Sequence, residues 1–174
     1  AEAKRRVSAM PRALTPCGVF DGVESVTLEL EAEGSIFYTT DGSYPGSASI
    51  PYTGAIEIDK TCVIRAVAVE DGALASDALT LTYIINEGHC LPVISLVLDD
   101  WKSFSKVYTA GWRGPRYGAN LSFFEEGGSF SMDCLAELKG WTSRSLPKKS
   151  LGVSFKGVTG GMLQYDLFGN GITE

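Results

Sequence analysis

The residues able to do chemistry in this chain are few, and they are concentrated in its second half. No acidic residue occurs from Leu138 to Tyr165, while Lys139, Arg144, Lys148, Lys149 and Lys156 all fall in that span. Arg144, Lys148 and Lys149 are candidate phosphate ligands, because a guanidinium fork, two ammonium groups and the amides of a Ser-rich turn are the donors an anion needs. The competing reading is a solvated edge, in which lysines beside Pro147 guard a strand against edge-to-edge pairing. Trp101, Trp112, Tyr117 and Trp141 lie in or near loops and are candidate platforms for stacking on the flat face of a sugar. Tyr38, Tyr44 and Tyr52 gather around Asp41-Gly42 in the first half. Packing is the alternative for all of these rings, since Trp and Tyr bury large areas.

Other chemistry finds little support. Ser143, Ser145 and Ser150 lie near lysines, but Ser–Lys catalysis needs a buried, neutral amine, and the local density of cations points to solvent. His89 is the only histidine and follows Gly88 at a change of sequence character, which suits a boundary residue better than a general base. Glu125-Glu126 fall at a hairpin tip, where a glycosidase pair would need a surrounding cleft. Asp41, Asp99 and Asp100 are too few and too scattered for a calcium loop. Cys17, Cys62, Cys90 and Cys134 have no CxxC spacing, so a zinc site would have to be assembled from distant segments. Disulfides, with three possible connectivities, and free buried thiols both fit.

Charge is uneven. Residues 1–88 hold 6 basic and 13 acidic side chains, and residues 89–174 hold 9 and 8, within a net charge of −6. An acidic first half disfavours nucleic acid, whose phosphates need Lys and Arg on one face. No apolar run approaches the roughly 20 residues that cross a membrane. The opening Ala-Glu-Ala-Lys-Arg-Arg has no apolar signal-peptide stretch, and the missing initiator Met suggests a processed or excised piece.

The elements that must position these residues are strands. Residues 1–10 read as a linker. From Pro11 the apolar period is two: Val26, Leu28 and Leu30; Ile36 to Thr40; Ile56 and Ile58; Val63 to Val69; and Leu79, Leu81, Tyr83 and Ile85. Asp41-Gly42 and Asp71-Gly72 supply turns. This predicts a small antiparallel sandwich over residues 11–87. In residues 88–174, Val93 to Leu98 reads as a strand covered on both faces. Trp101 to Val107 reads as one or two helical turns capped by Asp99, and Tyr108 to Gly118 as loop. Asn120 to Phe124 and Phe130 to Met132 read as a hairpin, with Leu135 to Trp141 and Ser150 to Lys156 as two more strands. Gly169-Asn170-Gly171 reads as a closing turn. The fold class is all-β or β-rich: an immunoglobulin-like antiparallel sandwich followed by a second small antiparallel β-rich unit.

Two segments resemble known families. Tyr38-Thr39-Thr40-Asp41-Gly42-Ser43-Tyr44-Pro45, Tyr52-Thr53-Gly54-Ala55-Ile56, the run from Thr61 to Ala68 with Arg65-Ala66 inside, and Tyr83 resemble the C-terminal module of chitobiases and β-hexosaminidases. That family has Pro at the position of Ala55. The resemblance implies an immunoglobulin-like accessory module without catalytic residues. Residues 90–168 resemble the opening of the spore-coat CotH-type kinase family. The resemblance is carried by Leu91-Pro92-Val93-Ile94-Ser95-Leu96-Val97, Leu121-Ser122-Phe123-Phe124-Glu125, Gly140-Trp141-Thr142-Ser143-Arg144, Leu146-Pro147-Lys148-Lys149-Ser150-Leu151 and Tyr165-Asp166-Leu167-Phe168. That family often has Gln at the position of Lys148.

The CotH resemblance implies an atypical secretory-pathway or surface kinase, with ATP and Mg as its cofactors. In bacteria such proteins often carry chitobiase-type modules in front. Phosphoryl transfer also needs acidic Mg ligands. After Arg144 only Asp166, Glu174 and the terminus carry carboxylates, so the chain alone is not expected to catalyse it, nor to hold a cofactor. The expected function is a non-catalytic accessory or binding fragment of a bacterial extracellular or surface protein. It would position a neighbouring domain or contact cell-wall, coat or plant polysaccharide. The alternative is the N-terminal part of a secreted kinase whose catalytic acids lie downstream.

Overall fold

The computed structural model describes residues 6–46, 48–155 and 163–167. Lys156 and the expected turn at Gly169-Asn170-Gly171 lie outside the described residues. The chain divides into two compact units at Cys90 and Leu91.

The first unit contains β1 (Arg12–Ala13), β2 (Gly18–Phe20), β3 (Val26–Leu28), β4 (Leu30–Glu31), β5 (Ser35–Thr39), β6 (Ile50–Pro51), β7 (Ile56–Ile58), β8 (Cys62–Val69) and β9 (Leu79–Ile85). Five of these form one sheet in the order β2-β9-β8-β5-β6, with β3-β7 and β1-β4 as smaller pairs. Alternation builds the core. Ile64 and Ala66 of β8, Leu81, Tyr83 and Ile85 of β9 and Ile36 of β5 meet Leu28, Leu30 and Ile58 from the small pairs. The unit is therefore a β-rich sandwich, as its periodicity predicts.

Three details were not legible as periodicity. The expected strand through Val26, Leu28 and Leu30 is broken at Glu29. The Glu29 carbonyl accepts from the Leu14 amide at 2.9 Å, so the strand changes partner from β7 to β1. The short β2 joins β9 in parallel, Gly18 opposite Tyr83, within an otherwise antiparallel sheet. Residues 6–10, expected as linker, are hydrogen-bonded onto the turn after β8. Ser8 donates from its amide to Leu74 O at 2.9 Å, and its hydroxyl accepts from the Glu70 amide at 3.0 Å.

The second unit contains β10 (Val93–Leu98), α1 (Trp101–Ala110), β11 (Tyr117–Glu125), β12 (Gly128–Leu138) and β13 (Leu151–Ser154). The strands form an antiparallel meander in chain order. The two strands expected between Phe130 and Trp141 are one continuous strand, β12, which ends before Gly140. Gly140 has φ +93°, a left-handed conformation that favours glycine. The helix is longer than expected, and its cap is Asp100 rather than Asp99. The Asp100 carboxylate accepts from the Ser103 amide at 2.9 Å, while the Asp99 amide extends the ladder by donating to Gly118 O. Gly111 closes the helix at φ 69°.

Spacing explains how α1 docks. Trp101, Phe104 and Tyr108 recur at helical intervals, and Phe104 is buried against Leu98, Ala119, Cys134 and Ala136. The two alanines leave room for its ring. The other face of the sheet is polar at its centre, where Asn120 donates to Asp133 at 3.0 Å and the Ser122 hydroxyl donates to Ser131 at 3.0 Å.

Tyr83 offers a test of the sandwich core. Its ring stacks on Phe20 at 6.1 Å, and its hydroxyl is buried without a hydrogen-bond partner among the described residues. Burial, with the Cys17 and Cys62 thiols adding to it, pushes the phenol well above its ordinary range. Tyr83→Phe removes an unsatisfied polar group and keeps the ring, so it should raise unfolding free energy by about 1 kcal/mol. Urea titration below pH 9, where the phenol is neutral in both states, measures this. A loss of stability would mean that the hydroxyl is satisfied.

Candidate functional site

The Tyr-Thr-Thr-Asp-Gly-Ser-Tyr-Pro string of the first unit proves to be a structural turn. Asp41 accepts from the Ser43 amide at 3.0 Å and from its hydroxyl at 2.6 Å, and these bonds hold the carboxyl below its usual range. Gly42, at φ 75°, donates its amide to Val63 O at 3.1 Å. The turn carries Tyr44 over Arg65, with the guanidinium carbon 4.6 Å from the ring centroid. Arg65 lies on β8 and is 3% exposed. Tyr52 donates its amide to Ile36 O, and its hydroxyl accepts from the Leu30 amide at 3.0 Å. These polar groups are spent on holding the sandwich.

Near the start of β5 lies an open cleft of about 540 Å³ that includes Leu30, Glu31, Phe37, Pro51 and Tyr52. A smaller one of about 420 Å³ is bordered by Glu33, Glu70 and Asp71. Among the described residues no group of three or more His, Cys, Asp or Glu side chains could hold a metal.

The aromatic and cationic residues of the second unit sort around the two ends of α1. At its start, Trp101 is 62% exposed and touches Phe104 at 6.1 Å between centroids. At its end, Gly111 leads into Trp112, which is 71% exposed. Ten residues of helix span about 15 Å, so Trp101 stands apart from Trp112. Tyr117 is half-buried. Its position on β11 puts it on the same face as Ala119 and Leu121, where it packs edge-on to Phe104 at 5.4 Å and 89°.

The last turn of α1 is also where the basic residues converge. Between β12 and β13 the chain makes a short 3-10 turn, Thr142–Ser145. A Cβ on Gly111 would sit 2.6 Å from Arg144 O, so the helix cap and this turn are in direct backbone contact. Trp141 opens the turn, 84% exposed, with the Arg144 guanidinium 6.0 Å from its ring centroid. Lys149 donates from Nζ to Leu146 O at 2.6 Å and lies 5.5 Å from the centroid of the Tyr108 ring. Its amide donates to the Tyr108 hydroxyl at 3.4 Å. Lys148 is exposed.

Arg144 and Lys149, two of the three expected phosphate ligands, are thus held against one helical turn, with Trp112 and Trp141 bordering it. The basic reading missed two participants. Tyr108 supports Lys149, and its place four residues after Phe104 on a helical stripe was the available signal. Arg113 adds an exposed cation beside Trp112. Not every cation in the stretch is available: Lys139 pairs with Glu137 at 2.8 Å, as does Arg116 at 3.4 Å. The Lys139 hydrogen bond holds the Glu137 carboxyl below its ordinary range.

The remaining candidates are dispersed. Glu125 accepts from the Tyr165 hydroxyl at 2.7 Å, and Glu126 and His89 are exposed. Ser145 donates to Thr142 O at 2.6 Å, while the nearby Lys149 amine is engaged by a carbonyl. All four cysteines are free thiols.

With this geometry in hand, comparison with known proteins adds one result. Residues 15–80 match the family model of the chitobiase/beta-hexosaminidase C-terminal domain, so that stretch of the sandwich is similar to that domain. No curated protein and no solved structure matches the chain. Among the described residues no helix is long and apolar enough to cross a membrane.

Thiol reactivity should follow burial. Burial pushes Cys17 and Cys62 above the usual thiol range and Cys134 up to about 11, where Asp133 adds to it; Cys90 is exposed. Only the thiolate attacks an aromatic disulfide reagent. At pH 8 the native protein should therefore release one fast equivalent, lost in Cys90→Ser, with half-buried Cys17 and Cys62 reacting more slowly and buried Cys134 only in denaturant. Two or more fast equivalents would contradict this packing.

Proposed function

We propose that this chain is a non-catalytic, carbohydrate-associated accessory fragment of a bacterial extracellular or cell-surface protein. The observation that carries the reading is the match of residues 15–80 to a module named for enzymes of hexosamine glycans. Two further observations support it. The module's polar motif is consumed in turn and core bonds rather than displayed for catalysis. The second unit presents Trp112 and Trp141 to solvent, where buried rings would be the usual outcome. In this role the sandwich is a rigid spacer, and the exposed indoles contact polysaccharide.

A second reading has its own support: the second unit as the N-terminal part of a CotH-like kinase whose Mg-binding acids lie elsewhere. Arg144 and Lys149 are immobilised just ahead of β13, and a rigidly held cation suits a nucleotide phosphate. ATP with Mg would then be its ligands.

Calorimetry separates the readings. Titrating the chain with ATP and Mg, and separately with a panel of soluble glycans, should give heat with glycans and none with nucleotide. Indole fluorescence should be quenched by the same sugars that give heat. Nucleotide binding without glycan binding would favour the kinase fragment, and an unchanged spectrum with every glycan would reduce the chain to a spacer.

A further inference from the structure

We infer that the end of the second unit formed by the last turn of α1 and the 3-10 turn is a single binding surface for an acidic polysaccharide. The inference rests on the accessory reading and narrows its ligand class. Sequence spacing separates the stacking candidates from the cationic ones. The backbone contact between Gly111 and Arg144 joins them, because Trp112 follows the first residue and Trp141 precedes the second by three. Two largely exposed indoles are thereby set among Arg113, Arg144, Lys148 and Lys149.

An indole face accepts the C–H face of a pyranose ring. Neutral sugars accept hydrogen bonds from such cations but leave their charge unmatched, and neighbouring cations repel one another when no anion is present. A polymer carrying a carboxylate or sulfate on its sugars uses both sets of groups. The local acid offers no substitute, since Glu137 is already taken by Lys139 and Arg116.

The supports are built rather than incidental. Lys149 is fixed by Leu146 O and by the Tyr108 ring. Arg144 is half-buried, with its Nε buried and without a hydrogen-bond partner, so its remaining donors emerge in a restricted direction beside Trp141. Single-stranded nucleic acid also combines stacking with phosphate charge. It is kept as an outcome of the test.

The whole chain is titrated calorimetrically at low and moderate salt with polygalacturonate, dextran sulfate, neutral xylo- and chito-oligosaccharides, and an oligothymidylate. An acidic polysaccharide should bind, and the carboxylate and sulfate arms identify which acid is preferred. Trp112→Ala and Trp141→Ala should each weaken that binding by about tenfold. Lys148→Gln combined with Lys149→Gln should weaken it and flatten its salt dependence. All four positions are exposed or half-buried, and circular dichroism checks that each variant keeps its fold. Acidic binding that is indifferent to both tryptophan substitutions is ion exchange and overturns the inference. Binding of neutral sugars alone overturns it while leaving the accessory reading in place, and binding of the oligonucleotide alone overturns it as well. Silence toward every glycan overturns both.

Discussion

Phe104 sits in a space that Ala119 and Ala136 leave open at the centre of a four-stranded sheet, and the arrangement of the second unit depends on that contact. A ten-residue helix is marginal in water by its own propensity. Burying one aromatic ring fully, flanked by Tyr108 and Tyr117 at 6.0 and 5.4 Å, is worth a few kcal/mol and fixes both the position and the rotation of α1. Rotation is what matters for the loop end. With Phe104 inward, Tyr108 points along the same face toward Lys149, and the helix closes at Gly111 against the carbonyl of Arg144. A larger residue at Ala119 or Ala136 would push the ring outward and move every group resting on the last turn.

The sandwich of the first unit obeys a different constraint. Its main sheet offers one apolar face, and the small pairs that cover it are only two or three residues long. Such short strands bury little on their own, so they are held by side chains reaching into backbone. Tyr52 on the Leu30 amide is the clearest case, and Asn86 on the amides of Gly22 and Val23 fixes the connection leading into β3. The residues that make the family motif recognisable are therefore those that stabilise turns. Asp41, Gly42 and Ser43 close the turn that seats Tyr44 on Arg65. Their chemistry is local and structural, which accords with an accessory module.

Electrostatics divides the molecule further. The cations near the C-terminal end of α1 lie where the helix dipole favours positive charge, so part of their cost is offset by the fold itself. Lys139 and Arg116 share the single carboxylate of Glu137. The 138–165 stretch holds no acid to match Arg144, Lys148 and Lys149, and Arg144 and Lys149 lie near the rings of Trp141 and Tyr108. An unbalanced charge of one sign beside exposed indoles is a combination that a purely structural edge would not require.

Periodicity of two, the Asp-Gly turns and the apolar run from Val93 to Leu98 were enough, by themselves, to determine a β-rich chain in two parts, because strand alternation is a local property of side chains. The cationic stretch and the loop tryptophans were equally visible in composition. Tertiary structure decided what local pattern could not encode. It added β2 in parallel to β9, switched β3 into β4 at Glu29, and merged two expected strands into β12. It also packed a half-buried Tyr117 against the core and brought Trp112 beside Arg144 across more than thirty residues. These outcomes depend on which non-local surfaces fit together, here a phenylalanine over two alanines, and no spacing along the chain records that fit.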